Sequence, residues 1–241
     1  MAATDLHALL GQLRVWAPGA TELRPFDPAA APAAPLPLFT TWFAEAVAAG
    51  QAEPHTMSLA TTDEEGRADV RIVMLHGADA AGWSFGTHVT SRKGHELSAR
   101  PYAALAFYWP VLGRQVRLRG PVTAAPSQES QADLHARSTG ALAAALTGLQ
   151  SGVLSSLEEL REASEAAWER ARTDPAAPSL TWTLYRLHPQ EVEFFQGDPE
   201  RRHVRLRYVT DTGADADADA GADADADAGA DGGWRKELLW P

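Results

Sequence analysis

Cationic and hydroxyl side chains are concentrated between residues 71 and 115 of the chain. Four cations stand at predicted strand ends or at a predicted helix start in this stretch: Arg71, Arg92, Lys93 and Arg114. A guanidinium group binds phosphate through parallel hydrogen bonds, an ammonium group adds a point charge, and a helix N-terminus offers free N–H groups. These residue types and their positions therefore predict a phosphate-binding site.

A second cationic pattern, Arg201-x-His203-x-Arg205, lies on a predicted strand near the C-terminus. Alternate residues of a strand share one face, so the three side chains are expected on the same face. That much positive charge on one face requires an anionic partner or open water.

Several other catalytic and metal-binding motifs are absent from the sequence. It has no G-x-G-x-x-G after a strand, no P-loop and no H-E-x-x-H. The eight His are scattered, and His88 and His95 are interpreted as surface or helix residues. The sequence therefore predicts no metal site.

The elements that must position these residues are mostly short strands joined by short links, which favours an antiparallel barrel over a parallel α/β sheet. The predicted strands are Met57–Thr61, Val70–Leu75, Trp83–Thr87, Tyr102–Trp109, Gln115–Val122, Thr181–Leu187, Val192–Gln196, Val204–Thr210 and Trp234–Leu239, with a turn at Gly77–Gly82. The predicted helices are Leu6–Val15, Leu38–Ala49, Ser91–Ala99, Ser127–Ala136, Ala141–Leu146 and Ser155–Arg172, the last with a capping box formed by Ser155 and Glu158.

Two segments have a composition unlike a packed domain. Residues 1–37 are rich in Ala and Pro and are predicted to form a loosely ordered arm before one domain at residues 38–241. Residues 213–233 carry an Ala-Asp repeat similar to an EF-hand loop, but Ala226 stands where the bidentate Glu is required. Composition favours a disordered insert in the last hairpin instead.

Overall composition excludes several classes of protein. The chain has 241 residues, no Cys and a formal net charge of -11, most of it carried by the eight Asp between residues 211 and 231. The negative charge argues against nucleic-acid binding, and no apolar run is long enough to span a membrane. The absence of Cys excludes disulfides and fits a cytoplasmic location.

At the level of motifs, the chain resembles the pyridoxamine 5'-phosphate oxidase family from about Pro37 to the C-terminus. The motifs that carry the resemblance are Arg71-Ile72-Val73-Met74-Leu75, Ser91-Arg92-Lys93, Arg114-Gln115-Val116, Gln150-Ser151, Val192-Glu193-Phe194-Phe195-Gln196-Gly197 with Arg201-x-His203-x-Arg205, and the C-terminal Trp234-Arg235-Lys236 to Leu239-Trp240-Pro241. The resemblance implies a mainly β fold with flanking helices, an FMN-binding antiparallel split β-barrel, and a homodimer with FMN at the interface.

The resemblance also assigns roles to individual residues. The implied FMN-binding residues are Arg71, Ile72, Val73, Met74, Gly86, Thr87, Arg92, Lys93, Gln115, Gln150, Ser151, Phe195 and Arg205, some of them acting from the partner subunit. Arg201 and His203 match residues that lie over the flavin and touch the substrate, and they are the implied catalytic pair.

The chain departs from the family pattern where the substrate phosphate is expected. The family uses Lys, Tyr, Arg and Ser there, whereas this chain has His76, Asp133, Arg137 and Ala141. Asp133 would repel a phosphate. Around Phe85 and Phe107 the sequence looks closer to the phenazine-biosynthesis flavin oxidases, a related group.

Three functions remain open at this point. The first is oxidation of pyridoxamine or pyridoxine 5'-phosphate, with hydride transfer to flavin N5 and O2 as acceptor giving H2O2. The second is the same chemistry on a non-phosphorylated secondary metabolite, such as a reduced phenazine-like ring. The third is a flavin-binding module without enzymatic activity.

Overall fold

The computed structural model of the chain describes residues 5–16, 21, 23–210 and 233–241. In these ranges ten strands form one sheet flanked by six helices, and none of the helices has the length and apolar content needed to cross a bilayer. The strands are β1 (Thr56–Thr62), β2 (Ala68–Met74), β3 (Gly77–Asp79), β4 (Gly82–His88), β5 (Tyr102–Trp109), β6 (Arg114–Ala124), β7 (Trp182–Leu187), β8 (Glu191–Gln196), β9 (Val204–Thr210) and β10 (Trp234–Leu238). The helices are α1 (Leu6–Gln12), α2 (Pro35–Ala48), α3 (Arg92–Ala99), α4 (Ser127–His135), α5 (Thr139–Thr147) and α6 (Leu157–Thr173).

The sheet is curled and splits at β6. The main strand order is β10-β9-β8-β6-β5-β1-β2, and a branch through β7, β4 and β3 leaves it at β6. Residues 114–119 of β6 pair with β8, whereas residues 122–124 pair with β7. Between the two segments Gly120 allows a close approach, because a Cβ there would lie 2.0 Å from the carbonyl oxygen of His188. The predicted antiparallel split β-barrel is confirmed.

The core lies between the inner face of the sheet and helix α2. Strand β5 buries Ala103, Leu105, Phe107 and Trp109, because alternate residues of a strand point to one face. Phe39 of α2 packs on this surface, with ring centroids 5.2 Å from Phe107 and 6.1 Å from Trp109. Aromatic burial of this kind holds α2 on the barrel.

The Ala/Pro-rich segment before α2 packs on the domain from Phe26 onward, unlike the loosely ordered arm expected from its composition. The ring of Phe26 meets the ring of Trp42 edge-on at 5.0 Å, and the hydroxyl of Tyr208 donates a hydrogen bond of 2.8 Å to the carbonyl of Pro32. Helix α2 begins at Pro35, earlier than predicted, because proline is favourable at the first helical position.

Two local predictions are wrong. Residues Gly77–Asp79 form strand β3, paired with β4, rather than part of a turn. The capping box of α6 is shifted by one residue: the N–H of Glu159 donates to the hydroxyl of Ser156, while the carboxylate of Glu159 accepts from the N–H of Ser155. A capping residue satisfies backbone donors that the first helical turn leaves free, and Ser156 is the residue that does so here.

The Asp/Ala-rich insert predicted at residues 213–233 lies, except for Gly233, outside the described residues. Strands β9 and β10, which flank it, pair antiparallel as predicted, with Thr210 opposite Trp234.

Candidate functional site

A cleft of about 990 Å³ opens between strand β2, strand β4 and the α4–α5 region. Strand β2 is the last strand in the sheet order, so one of its edges has no strand partner among the described residues. The structure brings eleven of the predicted site residues together in this cleft: Arg71, Ile72, Val73, Met74, His76, Gly86, Thr87, Lys93, Asp133, Arg137 and Gln150.

One end of the cleft is built around the buried ammonium group of Lys93. Its Nζ lies 2.9 Å from Oε1 of Gln150 and 3.2 Å from Oγ1 of Thr87, and the Thr87 hydroxyl donates to the same Gln150 oxygen at 2.9 Å. Burial lowers the pKa of Lys93, and the positive charge of Arg71 lowers it further. A desolvated cation beside a second cation is stabilised by an anion, so this end is suited to a phosphate.

The guanidinium group of Arg71 is held in place by two acidic residues. Its Nη2 lies 2.9 Å from Oε2 of Glu96 and 2.8 Å from Oδ2 of Asp69, and Nη1 donates to the hydroxyl of Thr61. Burial raises the pKa of Glu96, but hydrogen bonds from Thr61, Arg71 and Arg92 outweigh that effect and lower it overall. Glu96 is therefore an ionised anchor that fixes Arg71 at the cleft.

Two predicted FMN-binding residues lie in a neighbouring depression rather than in this cleft. Arg92 and Ser151 line a neighbouring depression of about 610 Å³. The Nε of Arg92 lies 3.1 Å from Oε1 of Glu96 and 3.3 Å from Oδ2 of Asp69, and its side chain is 67% exposed. The structure thus separates Arg92 from its sequence neighbour Lys93, because consecutive helical residues point about 100° apart around the axis.

At the α4 side of the cleft, Asp133 joins His76 to Arg137. The Nδ1 of His76 lies 3.0 Å from Oδ2 of Asp133, and the Nη2 of Arg137 donates to Oδ1 at 2.9 Å. Burial raises the pKa of Asp133, but the hydrogen bonds from His76 and Arg137 outweigh it and lower the pKa to about 2. We name these three residues the His–Asp–Arg triad.

The low pKa of Asp133 predicts how the free energy of unfolding changes in acid. A carboxyl group with a folded-state pKa of about 2 and an ordinary value of 3.8 stabilises the fold above pH 4, and this contribution disappears as the pH falls toward 2. Between pH 5 and pH 2, wild type should lose about 2 kcal/mol more of its free energy of unfolding than Asp133→Asn does. Urea unfolding across this pH range measures the difference, and parallel pH profiles would contradict the assignment.

The floor of the cleft depends on Gly86 in β4. A Cβ at this position would lie 2.3 Å from the ring of Trp182 and 2.6 Å from the ring of His76. The two rings stack with centroids 6.2 Å apart and an interplanar angle of 22°. Glycine is therefore required for these two rings to line the cleft together.

Three other predicted residues lie side by side on the outer face of the sheet, away from the cleft. Gln115 of β6 is opposite Phe195 of β8, which is opposite Arg205 of β9. Directly opposite residues in antiparallel strands project to the same face. We name Gln115, Phe195 and Arg205 the outer-face group.

The expectation that Arg201, His203 and Arg205 share one strand face is wrong. Strand β9 begins at Val204, and Arg201 lies in the preceding turn with a positive φ of 66°. His203 lies in the loop between them, where its Nδ1 accepts a hydrogen bond from the N–H of Asp198 and its ring packs 5.1 Å from that of Phe195. His203 therefore joins the outer-face group through a loop rather than by strand alternation.

Some residues that hold the site together were missed by sequence reasoning. Glu193, buried in β8, accepts from the Nε of Arg205 at 2.8 Å and from Arg117, and the carbonyl of Trp240 accepts from Nη1 of Arg205 at 2.7 Å. The spacing of Glu193 and Phe195 two residues apart on a predicted strand was the available signal for Glu193. Glu96, which holds Arg71, and Trp182, which lines the cleft, were also overlooked, because only the tertiary fold brings them into place.

Residues 82–86 have a G-x-S-x-G spacing, which is the spacing of a hydrolase nucleophile turn. Here it lies within β4 rather than at a strand-to-helix turn, and the hydroxyl of Ser84 donates to the carbonyl of Gly77 across the hairpin. Ser84 is therefore a structural residue of the β3–β4 pair.

Comparison with known proteins gives consistent matches over most of the chain. The family model described as pyridoxamine 5'-phosphate oxidase matches residues 43–195, and the one described as the pyridoxine 5'-phosphate oxidase C-terminal dimerisation region matches residues 182–241. Curated proteins named pyridoxine/pyridoxamine 5'-phosphate oxidase from Burkholderia ambifaria and Pseudomonas fluorescens Pf-5 are each 43% identical over 183 residues. These alignments cover 76% and 75% of this chain and 85% of each relative.

Solved structures match the fold. The crystal structure of PhzG from Burkholderia lata 383, in complex with tetrahydrophenazine-1-carboxylic acid, superposes with a TM-score of 0.78 at 28% identity, covering 92% of this chain and 100% of that one. A pyridoxamine 5'-phosphate oxidase-related, FMN-binding protein from Nostoc punctiforme has a TM-score of 0.61 at 19% identity, covering 84% and 97%, and shows the fold alone. Because the first family model spans more than half of the chain, the chain belongs to the pyridoxamine 5'-phosphate oxidase family of oxidoreductases.

Proposed function

We propose that the protein is an FMN-dependent oxidase that works as a homodimer. The observation that carries the proposal is the buried Lys93 ammonium, which lies with the Thr87 hydroxyl and the Arg71 guanidinium in one cleft. An ammonium, a fixed guanidinium and a hydroxyl are the groups that bind a phosphate monoester. The donor set therefore fits the phosphate end of FMN.

The remainder of the cleft fits the rest of the cofactor. Gln150 stands beside Lys93 and is suited to a ribityl hydroxyl. Residues 72–74 belong to edge strand β2, whose free backbone groups can hydrogen-bond the polar rim of a flavin ring. Gly86 lets the rings of Trp182 and His76 approach the backbone of β4, and these rings form the floor of the cleft. Arg92 and Ser151 would then contribute only through the neighbouring depression.

The proposed dimer would complete each site with the partner's outer-face group. The match to a C-terminal dimerisation region over residues 182–241 includes Phe195, His203 and Arg205. Strand β2 exposes the apolar side chains of Val70 and Ile72, 64% and 66% exposed, which supports burial in an interface. In this arrangement Gln115, Phe195 and Arg205 reach the flavin of the other subunit.

When bound, FMN would supply the hydride acceptor, its N5 atom, and the route of the electrons to O2, giving H2O2. In our proposal the protein residues place the substrate and handle charge. Arg201 orients the substrate or balances negative charge on it. His203, whose Nδ1 accepts a hydrogen bond from the N–H of Asp198, would contact the substrate through Nε2. Both residues would act on the partner's cleft.

Two classes of substrate are supported by different observations. The names of the curated relatives, 43% identical to this chain, support pyridoxamine or pyridoxine 5'-phosphate. The tetrahydrophenazine-1-carboxylic acid in the complex of PhzG, together with the carboxylate of Asp133 in the cleft, supports a reduced phenazine-like ring without phosphate.

Turnover assays test the proposal. Protein loaded with FMN should release H2O2 with one of these two substrate classes, and the same donor should bleach the flavin absorbance in the absence of O2. If the protein binds FMN but neither substrate class reduces the bound flavin, the protein is a flavin-binding module without oxidase activity. The proposed oxidase function would then be wrong.

A further inference from the structure

The His–Asp–Arg triad occupies the part of the cleft where the family pattern has a substrate-phosphate site. Its members are largely shielded from water, with side chains 4%, 14% and 26% exposed for His76, Asp133 and Arg137. The three groups satisfy one another, since Asp133 accepts hydrogen bonds from both of its neighbours. The triad is thus an ordered cluster of paired charges. It is more than the absence of the phosphate-binding residues that the family pattern has at these positions.

The chemistry of Asp133 fixes the tautomer of His76. With a pKa of about 2, the Asp133 carboxyl group is ionised near neutral pH and can only accept hydrogen bonds. The Nδ1 of His76 must therefore be the donor in the contact of 3.0 Å. When the ring is neutral, Nε2 is an unprotonated acceptor, and it makes no hydrogen bond within the described part of the chain.

The charge of Arg137 is already balanced by Asp133. Its Nη2 donates to Oδ1 at 2.9 Å and its Nε approaches Oδ2 at 3.3 Å. Among the described residues, Nη1 remains available for one further acceptor. A phosphate dianion bound by this guanidinium would also approach the carboxylate of Asp133, and the contact between the two anions is repulsive.

The walls around the triad are small and apolar. Ala136, Ala141 and Ala144 line the cleft opposite β2, and the ring of Trp182 lies beneath His76. Small side chains on one wall and an indole ring on the floor accommodate a flat ring system better than a flexible polar chain.

We infer that the His–Asp–Arg triad selects a planar ring substrate that donates a hydrogen bond to Nε2 of His76 and carries at most one carboxylate, bound by Arg137, and that it discriminates against phosphate monoesters. This inference rests on the proposed function, because it takes the cleft to be the substrate site of an FMN oxidase.

Equilibrium binding to the FMN-loaded protein tests the inference without turnover. One suitable ligand pair is 4-deoxypyridoxine and its 5'-phosphate, which lack the group that is oxidised. Wild type should bind the phosphate ester no more than about threefold more tightly than the free alcohol. Asp133→Asn should increase the affinity for the ester relative to that for the alcohol by roughly tenfold, since it removes a negative charge that repels only the ester.

A matched control is available on the same helix. Glu129 of α4 pairs with Arg186 at 2.6 Å and does not line the cleft, so Glu129→Gln should change neither affinity. A second ligand pair, phenazine-1-carboxylate and its carboxamide, tests the role of Arg137. Arg137→Gln should weaken binding of the carboxylate by roughly tenfold and binding of the carboxamide by less than twofold.

The outcomes separate this inference from the proposed function. FMN binding is measured first, and a chain that does not bind FMN refutes the proposed function. A chain that binds FMN but prefers the phosphate ester by 100-fold or more refutes only the inference. An equal ratio of ester to alcohol affinity in wild type and Asp133→Asn would also overturn it.

Discussion

Replacing Lys93 with Gln is expected to weaken FMN binding by roughly 100-fold. The ammonium group is buried and lies within hydrogen-bond distance of Thr87 and Gln150, so its removal takes a desolvated positive charge away from the proposed phosphate position. Quenching of FMN fluorescence during titration of the apo-protein measures the dissociation constant, and circular dichroism verifies that the variant is folded.

The neighbouring residue provides the matched control for this prediction. Arg92 carries the same charge one position earlier on α3, but its side chain is exposed and pairs with Asp69 and Glu96 outside the cleft. Arg92→Gln should therefore weaken FMN binding by threefold or less. Equal losses in the two variants, or a larger loss for Arg92→Gln, would contradict the assignment of Lys93 to the phosphate end.

The second large effect concerns stability. Trp42→Ala should lower the free energy of unfolding by about 3–5 kcal/mol, because it removes a large buried side chain and leaves a cavity. The Trp42 ring is 2% exposed, meets Phe194 edge-on at 5.2 Å and lies 4.3 Å below the guanidinium of Arg114. Urea denaturation measures the change, and the loss should appear as a lower midpoint at an unchanged slope.

An exposed tryptophan gives the comparison for this prediction. Trp168 on α6 is 40% exposed and lies 5.9 Å from the guanidinium of Arg172. Trp168→Ala should cost about 1 kcal/mol or less, as is usual for a side chain at the surface. If the two variants were equally destabilised, α2 would not be the element that closes the core.

The regular alternation of buried and exposed residues along the strands made much of the fold predictable from the sequence. Strand β5 begins and ends where predicted, because its small and aromatic residues alternate between the two faces over eight positions. Strand β3 was missed because Gly77, Ala78 and Asp79 have little intrinsic preference for a strand. It exists because β4 offers a pairing edge, and that information lies in the tertiary structure.

The cleft was predictable to a similar degree. The resemblance to the family identified Thr87, Lys93 and Gln150, which the structure brings within 3.2 Å of one another. It could not identify the way Arg71 is anchored, because the contact with Glu96 joins two elements that only the fold brings together.

Backbone conformation limited the prediction for the C-terminal cationic pattern. Period-two spacing implies a shared face only when all residues are extended, and Arg201 adopts a left-handed conformation in a turn. Nothing in the residue types at positions 201–205 distinguishes that turn from a strand. At such a position, only the structure shows which conformation the backbone adopts.

The proposed function requires that the cleft around Lys93 and Arg71 binds FMN and that two chains together complete the site. Titration of the purified protein with FMN, followed by absorbance-detected sedimentation of the mixture, measures both properties in one sample. We expect yellow dimers that carry one FMN per chain. A colourless monomer sedimenting apart from free FMN would contradict the proposal.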